Sequence, residues 1–206
     1  MKNLIGTLFI VSAPSGTGKT SLVNALVRDT NHLKLSISHT TREARPKEID
    51  GYNYHFIEEA RFKQMDMAGV FLESANVFGN YYGTSSEVVN KMLHEGHDVV
   101  LEIDWQGAEQ VKELIQQAVS IFILPPSIED LRERLTARGQ DSEEVINLRM
   151  DKAISELKHY HKADYLVVND DFEDALKGMK AIVRSHRLTT DKQKIINKRL
   201  IRNLIQ

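Results

Sequence analysis

A stretch near the start of the chain, SAPSGTGKTSL (Ser12–Leu22), contains the residue types of a loop that binds phosphate. Gly16 and Gly18 allow backbone conformations that a Cβ would block, so that successive backbone N–H groups can face one anion. Lys19 adds a movable positive charge, and the Thr20 hydroxyl is a suitable ligand for Mg²⁺. Ala13 stands where the usual pattern has glycine, but the remaining Gly, Gly, Lys and Thr predict a nucleoside triphosphate as ligand.

An acidic pair follows a second apolar run, in VVLEIDWQG (Val99–Gly107). Glu102 and Asp104 are two residues apart, which places them on the same face if the strand continues. In an open parallel sheet, ligands collect at the carboxyl ends of the strands, where the phosphate-binding loop also lies. The two carboxylates can there hold hydrated Mg²⁺ and accept hydrogen bonds from a substrate, whereas the segment taken alone also fits a solvated turn.

A second anion site is indicated by SISHTTREARPKEIDGYNYHF, in which hydroxyl and guanidinium donors surround one irregular stretch. These donors are Ser38, Arg42, Arg45 and Tyr54. Arginine binds phosphate through two parallel hydrogen bonds, whereas lysine acts as a point charge. Because the triphosphate has its own loop, this second site would hold the group that receives the phosphoryl; a solvated basic loop is the alternative.

The elements that must position these residues alternate between apolar runs and helical patterns. The predicted strands are residues 7–11, 33–37, 97–103, 118–124 and 165–168. Such alternation is typical of an α/β fold in which helices cover both faces of a parallel sheet. A helix packed on the first strand is expected directly after the phosphate-binding loop, with its positive dipole end facing the phosphates.

Two segments depart from this pattern, and the core is therefore predicted as residues 1–39 and 87–190. Residues 40–86, here called the insertion, read as a small mixed α/β unit in which Tyr52 and Phe56 are packing residues. Residues 136–152, here called the lid, are highly charged and hold few core residues, which predicts a mobile segment. Residues 191–206, here called the extension, are basic with apolar residues at partly helical spacing.

The composition limits the classes of protein that remain. With 206 residues, 41% hydrophobic content and a net charge of −2, the chain can form one compact domain with lobes, and it has no bulk charge that would attract nucleic acid or a membrane. Disulfides are excluded because there is no cysteine, which fits a reducing compartment. The apolar N-terminus runs directly into the phosphate-binding loop, so a cleaved signal peptide would destroy it. The expected location is the cytoplasm.

Taken together, the motifs resemble those of bacterial guanylate kinases, which transfer phosphate from ATP to GMP. The resemblance extends to about residue 188 and rests on SAPSGTGKTSL, SISHTTREARPKEIDGYNYHF, FLESANVFGNYYGTS, LEIDWQGA, IFILPPSIEDLRERLTARG and VVND. It implies a P-loop NTPase-type sheet in which the insertion binds GMP and the lid closes. It also implies ATP as co-substrate, Mg²⁺ as cofactor, and GMP or dGMP as acceptor.

The resemblance further implies a role for each matching residue. Positions that hold the GMP phosphate are matched by Ser38, Arg42, Arg45, Tyr54 and Tyr82, and positions that read guanine by Glu73, Thr84 and Asp104. The ATP site is matched by Ala13, Pro14, Ser15, Gly16, Thr17, Gly18, Lys19, Thr20, Asn169 and Asp170. Metal contacts fall to Thr20 and Glu102, and catalytic cations to Lys19, Arg42, Arg134, Arg138 and Arg149.

Two other functions stay open at this point: a related small-molecule kinase, such as one that phosphorylates ribose 1,5-bisphosphate, and a non-catalytic guanylate-kinase-like domain that binds protein. The guanine-reading set argues against the first alternative, and the intact Lys19 and Thr20 argue against the second. The extension is predicted to be an amphipathic helix docked on its own domain. Self-association into a homo-oligomer, or use as an interaction tail, is the alternative for this segment.

Overall fold

The computed structural model describes residues 6–77, 79–137 and 143–205, and two β-sheets organise them. The larger sheet is entirely parallel and has the order β2-β7-β1-β8-β9. Its strands are β1 (Leu8–Ser12), β2 (Leu33–Leu35), β7 (Asp98–Glu102), β8 (Val119–Leu124) and β9 (Tyr165–Val168). The predicted α/β class with a parallel sheet is confirmed.

Helices cover both faces of this sheet, because its central strand is apolar on both sides. Phe9 and Val11 pack in one core cluster with α1 (Lys19–Asp29) and α7 (Phe172–Arg187). Leu8 and Ile10 pack in the other with α3 (Ser86–His94) and α4 (Trp105–Leu114). Burial on both faces explains why the strand reads as an uninterrupted apolar run rather than an alternating one.

The smaller sheet lies within the insertion and has the order β4-β3-β6-β5. Its elements are β3 (His39–Thr40), β4 (His55–Phe56), α2 (Glu59–Met67), β5 (Phe71–Val77) and β6 (Asn80–Ser85). β3 and β4 are parallel, and the other pairs are antiparallel. Phe62 of α2 is buried against Phe71 and Tyr81, with ring centroids 4.6 Å and 5.4 Å away. The packing role expected for Tyr52 is wrong, since this residue is 73% exposed, whereas Phe56 packs against Tyr54.

One helix ends where the lid begins, a second contains the second half of the lid, and the two share a small apolar cluster. Ser127 caps α5 (Ile128–Thr136), and α6 runs over Glu143–Leu157 before a 3-10 helix at Lys158–Lys162. The cluster is formed by Leu131, Leu135, Ile146, Met150 and Ala153. The second half of the lid is thus part of a packed helix rather than an open charged segment. Arg138 lies outside the described residues.

The extension contains two short helices, α8 (Thr190–Ile196) and α9 (Lys198–Leu204). Its first turn is attached by polar contacts, since Lys192 Nζ donates to the Thr7 hydroxyl and lies 3.6 Å from Asp98 Oδ1. Most of the apolar side chains expected to dock instead face solvent: Ile195, Ile196, Leu200, Leu204 and Ile205 are exposed, Leu204 by 74%, and only Ile201 is half-buried. Among the helices that the structure describes, none combines the length and the apolar character needed to span a bilayer.

Candidate active site

The phosphate-binding loop, Ala13–Thr20, connects β1 to α1 and has the backbone geometry that its glycines allow. Gly16 and Gly18 have φ angles of 92° and 88°, in the left-handed region that favours glycine. The Thr17 hydroxyl donates to the Pro14 carbonyl over 2.9 Å, which fixes the turn. Because α1 begins at Lys19, the positive end of its dipole faces the loop. The arrangement is suited to binding a phosphate chain.

The two oxygen groups expected at a metal lie next to each other. The Thr20 hydroxyl donates a hydrogen bond to a carboxylate oxygen of Glu102, which comes from the end of β7. Mg²⁺ in such sites keeps several waters and is bound through one or two protein oxygens plus substrate phosphates. This pair therefore fits a hydrated Mg²⁺. Lys19 lies beside it, with Nζ donating to the Ile103 carbonyl over 2.7 Å.

A cavity of about 440 Å³ lies between the phosphate-binding loop, the insertion and the lid helix α6. Of the residues expected to bind GMP, all except the underlying Thr84 line it. The predicted residues that line it are Ser15, Lys19, Ser38, Arg42, Arg45, Tyr54, Glu73, Tyr82, Glu102, Asp104 and Arg149. Sequence reasoning missed other lining residues, namely Ala75, Val77, Asn80, Ile103, Val145 and Leu148. Most of these are apolar. Ala75, Val77, Asn80 and Ile103 lie inside the quoted motifs, but their side-chain types alone do not indicate a contact with a ligand.

One end of the cavity presents cations that an unpredicted carboxylate holds in place. Arg42 Nη2 donates to both carboxylate oxygens of Glu48, over 2.8 Å and 2.9 Å. The same carboxylate accepts the backbone N–H of Arg45 over 2.8 Å. The only signal for Glu48 in the sequence is an acidic residue within a basic segment. By fixing the guanidinium, Glu48 prepares Arg42 to receive an anion.

The phenol of Tyr54 completes this end of the cavity. Its ring lies 5.6 Å below the Arg42 guanidinium and 5.9 Å from the Tyr82 ring. Burial, followed by the nearby charge of Glu102, raises the pKa of Tyr54 to about 12. The phenol is therefore protonated at neutral pH and can donate a hydrogen bond to an anion.

The opposite end of the cavity holds a buried carboxylate. Glu73 of β5 is 3% exposed, and its Oε1 accepts the Thr84 hydroxyl over 2.6 Å. The Thr84 oxygen lies 3.2 Å from the Ser38 hydroxyl. Because a hydroxyl has one proton, Thr84 donates to Glu73 and accepts from Ser38. Burial, with a smaller contribution from the charge of Asp104, raises the pKa of Glu73 to about 7.

Asp104 lies beside Glu73 and caps the N-terminus of α4. Its Oδ1 accepts the backbone N–H of Gly107 over 2.9 Å, and its Oδ2 accepts the Gln106 side chain over 3.0 Å. Each carboxylate oxygen has a further lone pair, so the group can still accept hydrogen bonds from a ligand. The end of β7 and the first turn of α4 thus orient this acceptor.

Asn169, expected at the adenine site, has its side chain inside the protein. Its Nδ2 donates to the Thr17 carbonyl over 2.6 Å, and its backbone carbonyl accepts Arg134 Nη2 over 3.0 Å. A Cβ at Gly18 would lie 2.5 Å from the same Nδ2, so the loop approaches Asn169 closely. Asn169 therefore connects the phosphate-binding loop to α5, whereas its neighbour Asp170 is exposed. A contact of either residue with adenine stays a prediction.

Comparisons with known proteins agree with the motifs. The guanylate kinase family model matches residues 5–186. A guanylate kinase of Pseudomonas fluorescens strain Pf0-1 is 54% identical over 205 residues, covering 100% of both chains, and one of Methylobacillus flagellatus is 55% identical over 97% of this chain and 99% of its own. The crystal structure of guanylate kinase from Anaplasma phagocytophilum superimposes with a TM-score of 0.78 at 31% identity, covering 96% of each chain. Similarity to the Pseudomonas relative also includes the extension, which was expected to lie beyond the resemblance.

Proposed function

The chain belongs to the guanylate kinase family, and on that premise we propose that it transfers the γ-phosphoryl group of ATP to GMP or dGMP. The products are ADP and GDP or dGDP, which places the reaction in purine nucleotide metabolism. The observation that carries the proposal is the buried carboxylate of Glu73 in a cavity whose other end presents Arg42 and Arg45. A nucleoside monophosphate has the matching ends, a base and a phosphate.

The chemistry of guanine supports this choice of acceptor. Its ring N–H and exocyclic amine form a pair of donors that one carboxylate can accept together. Adenine has an acceptor in place of the ring N–H, so AMP would leave Glu73 without its partners. A site built around such buried polar groups can reject the wrong ligand by roughly 10⁴- to 10⁵-fold. Thr84 orients Glu73 through its hydroxyl, and Asp104 supplies a second acceptor. A direct contact between Thr84 and guanine, expected from the motif, stays a prediction.

Away from Glu73, the phosphate of GMP would be held by Arg42, Arg45, Tyr54 and Tyr82. Ser38 is proposed for the same task from the motif, and its hydroxyl lies 3.2 Å from the Thr84 oxygen, beside Glu73. Glu48 keeps the Arg42 guanidinium in place, and the Tyr54 phenol remains a donor at neutral pH. With the base and the phosphate both held, the accepting oxygen faces the phosphate-binding loop across the cavity. Alignment of the two reactants is the main contribution that a protein makes to phosphoryl transfer.

Cations around the transferring group supply the remaining catalysis, because the transition state is loose and spreads charge over the equatorial oxygens. Lys19 and Arg149 both line the cavity, whereas Arg134 is not among its lining residues and donates to the Asn169 carbonyl. Arg138 is proposed for the same task from the motif alone. Bound through Thr20 and Glu102, Mg²⁺ would neutralise negative charge on the phosphates. No general base is needed.

The proposed partners are small molecules only, ATP and GMP or dGMP, with no nucleic acid or membrane. A cytoplasmic location fits the lack of cysteine. Self-association into a homo-oligomer through the exposed residues of the extension is the alternative use of this segment, and a measurement of the oligomeric state would test it.

The test is ADP release from Mg·ATP by the purified protein with GMP, dGMP, AMP, ribose 1,5-bisphosphate or no acceptor. We expect release with GMP and dGMP, and loss of that release in Glu73→Ala. Glu58→Ala is the matched control, because this exposed glutamate also belongs to the insertion but lies outside the cavity. Release with the ribose compound alone would reassign the chain to a related small-molecule kinase. If no acceptor leads to ADP release, the result would support the alternative of a non-catalytic domain that binds protein.

A further inference from the structure

Gly107, in the first turn of α4, lies directly against the buried carboxylate of Glu73. A Cβ at this position would overlap Glu73 Oε2 and lie 3.0 Å from Glu73 Cδ and 3.3 Å from Ile103 Cδ1. The residue is itself buried. The absence of a side chain at position 107 therefore provides the space in which one carboxylate oxygen of Glu73 sits.

Backbone conformation does not explain a glycine here. Gly107 is absent from the residues with positive φ and lies in an ordinary helical turn. In a helix, glycine is less favourable than alanine, because it loses more conformational freedom on folding. A weaker helix former thus stands at a position where the backbone would accept alanine. The close approach of Glu73 is the remaining physical reason for a glycine at position 107.

The same residue also holds the second carboxylate of the pocket. Its backbone N–H donates to Asp104 Oδ1 over 2.9 Å. Gly107 thus affects both acidic groups of the pocket. Its amide donates to Asp104, and its lack of a side chain leaves the space that Glu73 occupies.

We propose that Gly107 is a positioning residue that sets purine specificity, by seating Glu73 over its Cα and by orienting Asp104. This inference rests on the proposed function, because it assumes that Glu73 reads the base. Gly107 is not a catalytic residue, and its effect passes through the two carboxylates.

A methyl group at position 107 would affect the site more than the fold. The overlapping atom is the end of a flexible side chain, and it must move by roughly 1 Å to reach an ordinary contact distance. Rotation of Glu73 can provide that movement while the helix remains intact. Displacements of about 1 Å in a positioning group can cost roughly 100-fold in activity. Gly107→Ala should therefore keep its fold and lose recognition of guanine.

The experiment measures binding of GMP, IMP and ATP by calorimetry, together with steady-state kinetics, for wild type, Gly107→Ala and Gly178→Ala. Gly178 is the matched control, because it also lies within a helix, α7, and its added Cβ would meet no atom within 4 Å. In Gly107→Ala we expect the Kd and KM for GMP to rise roughly 10- to 100-fold. ATP binding should change by less than about twofold. Gly178→Ala should bind all three nucleotides like wild type.

The ratio of GMP to IMP affinity separates positioning from general damage. IMP lacks the exocyclic amine, so a correctly seated Glu73 distinguishes the two nucleotides through one charged hydrogen bond. Displacement of Glu73 should reduce the preference for GMP over IMP by roughly tenfold. A loosened site that kept its preference, or a Gly107→Ala protein that bound GMP like wild type, would overturn the inference.

A second variant covers the case in which Gly107→Ala does not fold. Glu73→Asp shortens the side chain by one methylene and withdraws the carboxylate from position 107. Gly107→Ala should therefore lower the melting temperature less in a Glu73→Asp background than in wild type. Equal losses in both backgrounds, or a double variant that is also unfolded, would refute the contact. This coupling needs no ligand, so it stays decisive even if wild type binds no GMP, a result that would refute the proposed function instead.

Discussion

The charge of Glu73 should control how the stability of the protein depends on pH. Burial raises the pKa of this carboxyl from 4.5 to about 7 in the folded protein, so the folded state binds a proton that the unfolded chain has lost. One pKa unit corresponds to about 1.4 kcal/mol, and the whole shift therefore amounts to about 3 kcal/mol. Because the folded pKa is the higher one, this contribution is fully present below pH 4.5 and is lost as the pH rises through 7.

Glu73→Gln isolates this effect, because glutamine has nearly the same shape and does not titrate. The free energy of unfolding in urea, measured for wild type and Glu73→Gln at pH 5 and pH 8, should show wild type losing about 2 to 3 kcal/mol more than the variant. The change in the free energy of unfolding of the variant is subtracted from that of wild type. This subtraction removes the contributions of the other titrating groups, which the two proteins share. A difference between them that stays constant from pH 5 to pH 8 would refute the raised pKa.

The same proton should compete with guanine. Only the carboxylate form can accept both donors of the base, so binding of GMP requires Glu73 to be ionised. Between pH 6 and pH 8 the affinity for GMP should rise about tenfold from this group alone, given a pKa near 7. The phosphate of GMP, whose second pKa is near 6, also titrates in this range. Glu73→Gln retains that contribution, and equal pH slopes for the two proteins would contradict the argument.

Of three further predictions, two concern contacts that position the site and one concerns a contact of the surrounding fold. Glu48→Ala removes two of the hydrogen bonds that hold the Arg42 guanidinium and leaves the one from Nη1 to the Glu43 carbonyl. It should raise the KM for GMP roughly tenfold while the KM for ATP is unchanged, and an unchanged KM for GMP would show that Glu48 has no positioning role. Asn169→Ala removes the bond to Thr17 and should lower the free energy of unfolding by about 1 to 2 kcal/mol and raise the KM for ATP; a selective effect on GMP would oppose this view. Asp98→Ala breaks a partly buried ion pair, in which Asp98 is buried and Arg187 is 31% exposed, and should cost about 1.5 to 3 kcal/mol in urea unfolding. Neither KM should change, and a selective loss of activity in the folded variant would contradict a purely structural role.

The phosphate-binding loop and the acidic pair could be found from the sequence because each is a contiguous segment. The loop geometry at Gly16 and Gly18 depends on residues within a few positions of each other. Glu102 and Asp104 follow one strand, and the parallel sheet brings the end of that strand to the loop. The same reasoning failed for Tyr52 and for the apolar side of the extension, because an apolar residue type does not state whether a neighbour will cover it.

The positioning residues could not be found in this way, because each contact joins segments that are far apart in the chain. Asn169 reaches Thr17 across 152 positions, and Gly107 of helix α4 meets Glu73 of strand β5 in the smaller sheet. A glycine in a helix and an asparagine after a strand have ordinary local explanations. Their roles become visible only when the structure shows which atom occupies the adjacent space.

The cost of burying Glu73 gives the pocket its selectivity. Above pH 7 the carboxylate is ionised in an environment that disfavours its charge, with the Thr84 hydroxyl and the Thr84 backbone N–H as its hydrogen-bond partners. A base with two adjacent donors compensates this cost, and a base that offers an acceptor adds to it. The same group therefore weakens the free protein and discriminates between purines. A variant that exposes Glu73 to water without removing packed side chains or adding a steric overlap should gain stability at pH 8 and lose preference for guanine, so that the two properties change in opposite directions.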